Sequence, residues 1–262
     1  MEPIEIVKLA RDKDRPTGLK YIRSIVEDFT EFHGDRRFAD DKAVVSGIGR
    51  IKDIKVTAIA LEKGVGTKGR IYRNFGSSNP EGYRKALRQM KLAEKFRRPI
   101  VFFIDTAGAF CGIGAEERGQ GQAIAECLNE AMSLTVPVIS VLTGEGGSGG
   151  ALAFGVCNEL WIMENAYYSV ISPEGCASIL WKDPKKSPDA AEALNLTSAD
   201  LLRLNVADRI ISEENGFSEA MSEIRQLLFD KFNEFRNMEP VEIRRHRYDK
   251  FRKIGTFLEK KA

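Results

Sequence analysis

The run GEGGSGGALAFG, residues 144–155, places five glycines in its first seven positions, between the apolar VPVISVLT and the small residues of ALAFGV. Inside a strand or helix each glycine costs about 0.5–1 kcal/mol relative to alanine, because it gives up the most backbone freedom. A strand that ends in such a run and enters a helix leaves the first helical N–H groups aligned and unpaired, with the positive end of the helix dipole behind them. That is an anion site. It also points to an α/β fold in which buried strands feed helices through tight turns.

Three uses of such a site compete. A phosphate fits poorly, because the G-K-[ST] ending of a P-loop is missing and Glu145 would repel it. The G-x-G-x-x-G legible in GEGGSG lies past the middle of the chain, whereas a dinucleotide fold carries it in its first βα unit. A transient oxyanion, such as an enolate or a ureido oxygen, needs two donors about 2.7–3.1 Å away, and Gly149 and Gly150 suit that role. The third use involves no ligand, the glycines serving only tight strand–helix packing.

A second loop has the same design. DTAGAFCGIGAEERGQ, residues 105–120, leaves the apolar run IVFFID through small residues and brings Glu116, Glu117 and Arg118 into what reads as the first turns of a helix. Glutamates there partner the dipole, but a cation is disfavoured, so Arg118 needs a compensating carboxylate held bidentately. The chain has only two histidines, His33 and His246, both outside these loops. A histidine base or a Ser-His-Asp triad on Ser148 therefore has little to draw on. What remains is catalysis by main-chain donors on a substrate that brings its own base.

Forty Lys and Arg against 38 Asp and Glu leave a net charge of +2, so no global field draws the chain to nucleic acid or a membrane surface. The four cysteines, Cys111, Cys127, Cys157 and Cys176, lie far apart without metal-ligand spacing, and read as reduced, mostly buried thiols of a soluble, cytoplasmic protein. PTGLKYIRSIVEDFTEFHG reads as a peripheral amphipathic helix on Leu19, Ile22, Ile25, Val26 and Phe29. KAVVSGIGRI and VTAIALEKG read as a hairpin, YRKALRQMKLAEKF as a helix, and IVFFID and VPVISVLT as strands buried on both faces. ELWIMENAYYSVISPEG reads as a strand pair with SPEG as its turn, followed by short helices in AAEALN and SADLLRLN. The C-terminal part, FSEAMSEIRQLLFDKFNEFR and VEIRRHRYDKFRKIGTFLEKK, is helical, and its Leu227, Leu228, Phe232 and Phe235 must pack on the core or on another chain.

RNFGSSNPEGYRKALRQM, FIDTAGAFCGIGAEERGQ, GEGGSGGALAFGV and YYSVISPEGCASILWK, in this order, resemble the carboxyltransferase α subunits of bacterial multi-subunit acetyl-CoA carboxylases. The likeness extends over residues 6 to 213, with RPTGLKYI and FHGDRRFADD included. It implies a crotonase-type (ClpP/crotonase-like) fold of stacked ββα units. Residues 1–40 would form an N-terminal helical segment, 41–213 the carboxyltransferase core and 214–262 a C-terminal helical extension, within one domain overall. It also implies an α2β2 assembly with a β subunit, working with biotin carboxylase and a biotin carboxyl carrier protein. The reaction so implied moves a carboxyl group from carrier-borne N-carboxybiotin to acetyl-CoA, giving malonyl-CoA for fatty acid synthesis, with no metal in this chain.

By the same resemblance Gly149 and Gly150 inherit the oxyanion hole on the biotin side, with Gly146 and Gly147 as the second choice. Arg118 would hold the carboxyl group in transit, Gly108 and Ala109 would line the biotin pocket, and Glu174 and Gly175 would shape its floor. Lys63, Lys68, Arg70 and Arg73 form a basic stretch for CoA phosphates or the carrier. The family usually has proline where Ala107 stands and Tyr-Pro where Phe110 and Cys111 stand, which predicts a less rigid loop and a thiol near the pocket. Rival readings are a crotonase-type decarboxylase or hydratase acting alone, and a scaffold subunit without catalysis.

Overall fold

The computed structural model describes residues 1–255. Helices α1 (Pro3–Ala10) and α2 (Gly18–Ile25) precede strand β1 (Glu27–Glu31), which pairs antiparallel with β2 (Val44–Ile51). The expected hairpin joins β2 to β3 (Ile54–Leu61) through the two residues Lys52 and Asp53, with Lys52 at φ 54°. The short α3 (Gly66–Tyr72) and the long α4 (Pro80–Lys95) then lead into β4 (Ile100–Thr106). Next come α5 (Ile113–Glu117), α6 (Gln120–Ser133), β5 (Val138–Gly147) and α7 (Ser148–Leu152).

Strands β6 (Glu159–Met163) and β7 (Tyr167–Ser169) both pair with β5, and α8 (Pro173–Trp181), α9 (Ser187–Ala193) and α10 (Ser198–Arg203) follow. β8 (Arg209–Ile211) closes the sheet beside β6, and α11 (Phe217–Arg236) and α12 (Pro240–Lys253) are the last elements of the described residues. The sheet order is β1-β2-β3-β4-β5-β6-β8, parallel from β3 onward. β5 has two halves. Ile139–Leu142 lie between β4 and β6, whereas Glu145–Gly147 pair with β7.

β4 and β5 are buried at every residue, which their unbroken apolar runs predicted. Adjacent aromatics of β4 show what covers the sheet. Phe103 stacks on Tyr21 of α2 at 5.6 Å, and Phe102, pointing to the other face, stacks on Phe154 at 5.0 Å beside Tyr83 of α4. α4 and α6 pack together on one face, and α2 and α11 on the other.

The helix expected over residues 16–34 is corrected. It ends at Ile25, and Glu27–Glu31 turn into the edge strand β1. Nor is it peripheral, because Tyr21, Ile22 and Ile25 lie wholly inside the main core. SPEG is likewise not a turn between strands: Ser172 caps α8 by accepting from Gly175 N–H at 3.1 Å, with Pro173 in its first turn. Leu228, Phe232 and Phe235 of α11 are buried within this chain, in keeping with packing on the core. Of the helix expected to run to Lys261, residues beyond 255 lie outside the described part.

Arg247 of α12 is fully buried and docks the C-terminal helix. Its guanidinium donates to the carbonyls of Ala131, Leu134 and Val136 and to Asn158 Oδ1 at 2.6–2.9 Å, closing the open C-terminal end of α6. Burial pushes its pKa down to about 10. Replacing it by methionine leaves several buried carbonyls without a donor, each worth about 1–3 kcal/mol. Arg247→Met should therefore melt roughly 5–10 °C below the parent protein in thermal denaturation followed by circular dichroism; an unchanged melting temperature would mean that α12 is not docked through this residue.

Candidate active site at the mouth of α7

β5 runs through Gly147, so the glycine run is the end of a strand and the start of a five-residue helix rather than a free loop. Four of its glycines are required by packing. A Cβ on Gly144 would sit 2.5 Å from Asp105 Oδ1, one on Gly146 would sit 2.9 Å from the Tyr167 carbonyl, and one on Gly147 would sit 2.1 Å from the Ala107 carbonyl. A Cβ on Gly150 would lie 2.5 Å from Ala109 N and 2.8 Å from the Gly108 carbonyl carbon. Gly149 differs: its nearest neighbour would be Ile124 at 3.8 Å. The packing use of the run thus accounts for Gly144, Gly146, Gly147 and Gly150, and leaves Gly149 open.

No side chain caps α7, and the N–H groups of its first turn have no carbonyl a turn behind them to reach. Ser148 takes φ 49°, a left-handed turn that swings the chain from strand into helix. Gly149 lines a cavity of about 240 Å³ with Ser148, Leu152, Tyr168, Ser169 and Val170. The close approach of Gly150 to Gly108–Ala109 also brings the main chain of the β4–α5 loop beside these donors.

That loop is anchored despite having Ala107, Phe110 and Cys111 where the family has proline, tyrosine and proline. Thr106 Oγ1 donates to the carbonyls of Gly76 and Gly108 at 2.8 and 2.9 Å. Phe110 N–H donates to the Ser78 carbonyl at 3.0 Å, and Gln120 Nε2 bridges the Phe110 and Ser78 carbonyls. The slack expected of the loop is therefore countered by hydrogen bonds at Gly108 and Phe110. Cys111 is exposed, whereas the other three cysteines are buried, and all four are free thiols.

Arg118 has the bidentate carboxylate it needed, and the partner is Glu81 in the first turn of α4. Nε lies 2.7 Å from Oε1 and Nη2 lies 3.3 Å from Oε2, while the guanidinium stacks over the exposed Phe38 ring at 4.7 Å. Glu81 holds the Arg118 pKa above its ordinary value. The helix position read from sequence is corrected, because Gly119 at φ 81° splits the segment into α5 and α6. Arg118 follows the last turn of α5, where a cation suits the dipole. Arg84 ties Glu81 to Asp35 and donates to the Arg118 carbonyl, so the arginine is fixed by both its side chain and its main chain.

The basic stretch does not form one surface. Lys63 turns inward, with its ammonium 2.6 Å from both Asp105 and Glu145, so its charge is already matched. Burial opposes that charge, but the two carboxylates outweigh it and hold the Lys63 pKa above its ordinary value. Arg73 donates to the Lys42 carbonyl at 2.7 Å, Arg70 reaches the Lys13 carbonyl at 3.4 Å, and Lys68 is exposed on α3. Glu174 points to Arg11 at 2.7 Å rather than to the cavity beside Gly149, and Gly175 serves the cap of α8. Sequence reasoning missed Glu81 and Arg11; the demand of Arg118 for a carboxylate was the one available pointer.

The serine-nucleophile alternative has no geometry. His246 packs edge-on against Phe235 beside Asn158, where β5 begins, while Ser148 lies beyond its far end, about 30 Å along the strand. Among the described residues no cluster of His, Cys, Asp and Glu is arranged to hold a metal ion, and no helix is long and apolar enough to cross a membrane.

Residues 1–255 match the model of a family described as acetyl co-enzyme A carboxylase carboxyltransferase-like. The acetyl-coenzyme A carboxylase carboxyl transferase subunit alpha of Ruminiclostridium cellulolyticum is 57% identical over 97% of this chain and 98% of its own length. A protein of Natranaerobius thermophilus named as the beta/alpha subunits of the same enzyme is 51% identical over 99% of this chain, which spans 44% of that longer protein. Among solved structures, the transcarboxylase 12S hexamer with methylmalonyl-coenzyme A and methylmalonic acid bound superposes with a TM-score of 0.67 at 19% identity, covering 82% of this chain and 41% of that one. The shared architecture is the crotonase-type fold, and the chain belongs to the acetyl co-enzyme A carboxylase carboxyltransferase-like family.

Proposed function

We infer that the mouth of α7 is the biotin side of a carboxyltransferase, where main-chain N–H groups of Gly149 and Gly150 receive the oxygen that becomes negative as the carboxyl group leaves. The chain is a transferase, the carboxyltransferase α subunit of an acetyl-CoA carboxylase that converts acetyl-CoA to malonyl-CoA, the step that feeds fatty acid synthesis. The observation that carries the placement is the pairing of an uncapped helix start, open at Gly149, with the Gly108–Ala109 main chain packed against Gly150.

Carrier-borne carboxybiotin supplies the carboxyl group and, once that has gone, a basic ring nitrogen for the methyl proton of acetyl-CoA. The residues here fit such a group, because Gly149 leaves space where any side chain would project, and no histidine is needed. Fixed donors aimed at a developing oxyanion act without reorganising at the moment of reaction, and this makes them effective where water is excluded. Arg118, its Nε edge taken by Glu81, keeps Nη1 for the carboxyl group in transit. Lys68, Arg70 and Arg73 are the cations of the basic stretch still open to CoA phosphates, since among the described residues Lys63 alone of the four is matched by carboxylates.

The partner that completes the site is a β subunit, which the fused beta/alpha relative supports. Val170 in the cavity wall is 75% exposed, and Ile113 of α5 and Ile179 and Leu180 of α8 are large apolar side chains exposed at 81%, 60% and 64%. Apolar exposure of this kind marks a surface that another chain covers. An α2β2 assembly supplied by a biotin carboxyl carrier protein and a biotin carboxylase completes the reading, in the cytoplasm.

With its β partner the chain should carboxylate acetyl-CoA from a carboxybiotin donor, and by itself it should not; turnover of an acyl-CoA by the isolated chain would contradict the shared site. Gly149→Val has room in the free protein, so the fold should persist while turnover drops about 10²–10³-fold, the loss typical of one oxyanion donor. Full activity in that folded variant would remove the oxyanion-donor assignment. Arg118→Lys removes the fork that Glu81 grips, and should lower kcat/KM for the carboxybiotin donor about tenfold in steady-state assays.

A further inference from the structure

Behind the mouth of α7 lies an ion cluster that the reaction above does not touch. Lys63 follows β3, Asp105 lies near the end of β4, and Glu145 sits in the glycine run at the end of β5. The Lys63 ammonium is 2.6 Å from Asp105 Oδ1 and 2.6 Å from Glu145 Oε2, so one cation ties the C-terminal ends of three adjacent parallel strands. Asp105 Oδ1 also accepts the Glu145 N–H at 2.8 Å, at the contact where a Cβ on Gly144 would intrude. Glu145 Oε1 accepts from Arg11 Nε at 2.8 Å and from Tyr167 Oη at 2.7 Å. Arg11, at the end of α1, passes the restraint on to Glu174 of α8 at 2.7 Å.

The Asp105 and Glu145 side chains are 7% and 9% exposed. Burial alone would raise the pKa of Glu145, but Lys63, Tyr167 and Arg11 hold it below the usual carboxylate range, so it stays ionised. Buried ion clusters seldom stabilise a fold better than apolar packing does, and their best use is to select one geometry. A geometry needs selecting here, since Ser148, three residues on, holds φ 49°, a conformation that persists only when its surroundings fix it.

We propose that Glu145, clamped by Lys63, Arg11 and Tyr167, is a positioning residue that sets the course of the main chain through Gly146–Gly150 and so aims the first N–H groups of α7. This rests on the reading of those groups as oxyanion donors. The clamp acts through the main chain and does not contact substrate.

Glu145→Gln keeps the size and removes the charge, and Tyr167→Phe removes the hydroxyl that donates to Glu145 and accepts from Arg11 while leaving every charge in place. In the assembly with the β subunit, Glu145→Gln should lower kcat about tenfold with KM for acetyl-CoA within about twofold of the parent, a misalignment rather than a binding loss. Tyr167→Phe should show a smaller fall in the same parameter. In the isolated chain, hydrogen exchange at the amides of Glu145, Gly146 and Gly147, which lie in β5, should be faster in both variants, a readout that needs no turnover. A folded Glu145→Gln protein with parental kcat and exchange would overturn the proposal, as would a loss confined to KM. If Glu145→Gln does not fold, Tyr167→Phe decides: parental exchange and kcat overturn the proposal. Faster exchange alongside full activity of Gly149→Val would uphold the positioning and remove only the donor assignment.

Discussion

Two lengths of main chain, Ala107–Ala109 after β4 and Gly147–Gly150 after β5, approach so closely that no side chain fits between them. Most of the architecture around the site serves that approach. Parallel strands buried on both faces deliver the two segments side by side, and left-handed Ser148 turns the chain sharply where it leaves β5. Each glycine there costs about 0.5–1 kcal/mol relative to alanine, a cost that the packed layers above and below offset. Gly149 alone opens outward. The run therefore combines a packing requirement at four positions with an open approach at the fifth.

Charge is arranged behind this contact more than within it. Glu81 grips Arg118 from one side, while Lys63, Asp105, Glu145 and Arg11 form an ionic group at the strand ends that lines a cavity of about 250 Å³. The cavity at Gly149 is bordered by Leu152, Tyr168 and Val170 in addition to its serines, so what faces outward is largely apolar main-chain surroundings. Backbone dipoles gain strength in such surroundings once a partner chain excludes water.

Much of this was legible in the sequence, for reasons that also explain what was not. IVFFID and VPVISVLT announce doubly buried strands, because packed layers await both faces along their length. The carboxylate expected for Arg118 is present, although the dipole at a helix start that suggested it is not, and the acceptor Glu81 stands 37 residues away on a helix that also carries Glu94. Periodicity ran on past Ile25 into Val26 and Phe29, so an edge strand passed for helix; alternation and helical spacing coincide over so few residues. SPEG carries turn and cap chemistry at once, and only the contact of Ser172 with Gly175 decides between them. Lys63 looked like part of a solvent-facing basic stretch because local charge density says nothing of which way a side chain folds back.

The central claim is that main-chain hydrogens at the start of α7 hold the biotin ureido oxygen. Solving the structure of this chain with its β subunit and bound biotin measures it directly. The account predicts that oxygen about 2.7–3.1 Å from the amide nitrogens of Gly149 and Gly150. An oxygen directed to side-chain donors, or biotin seated away from the Gly108–Ala109 segment, would contradict it.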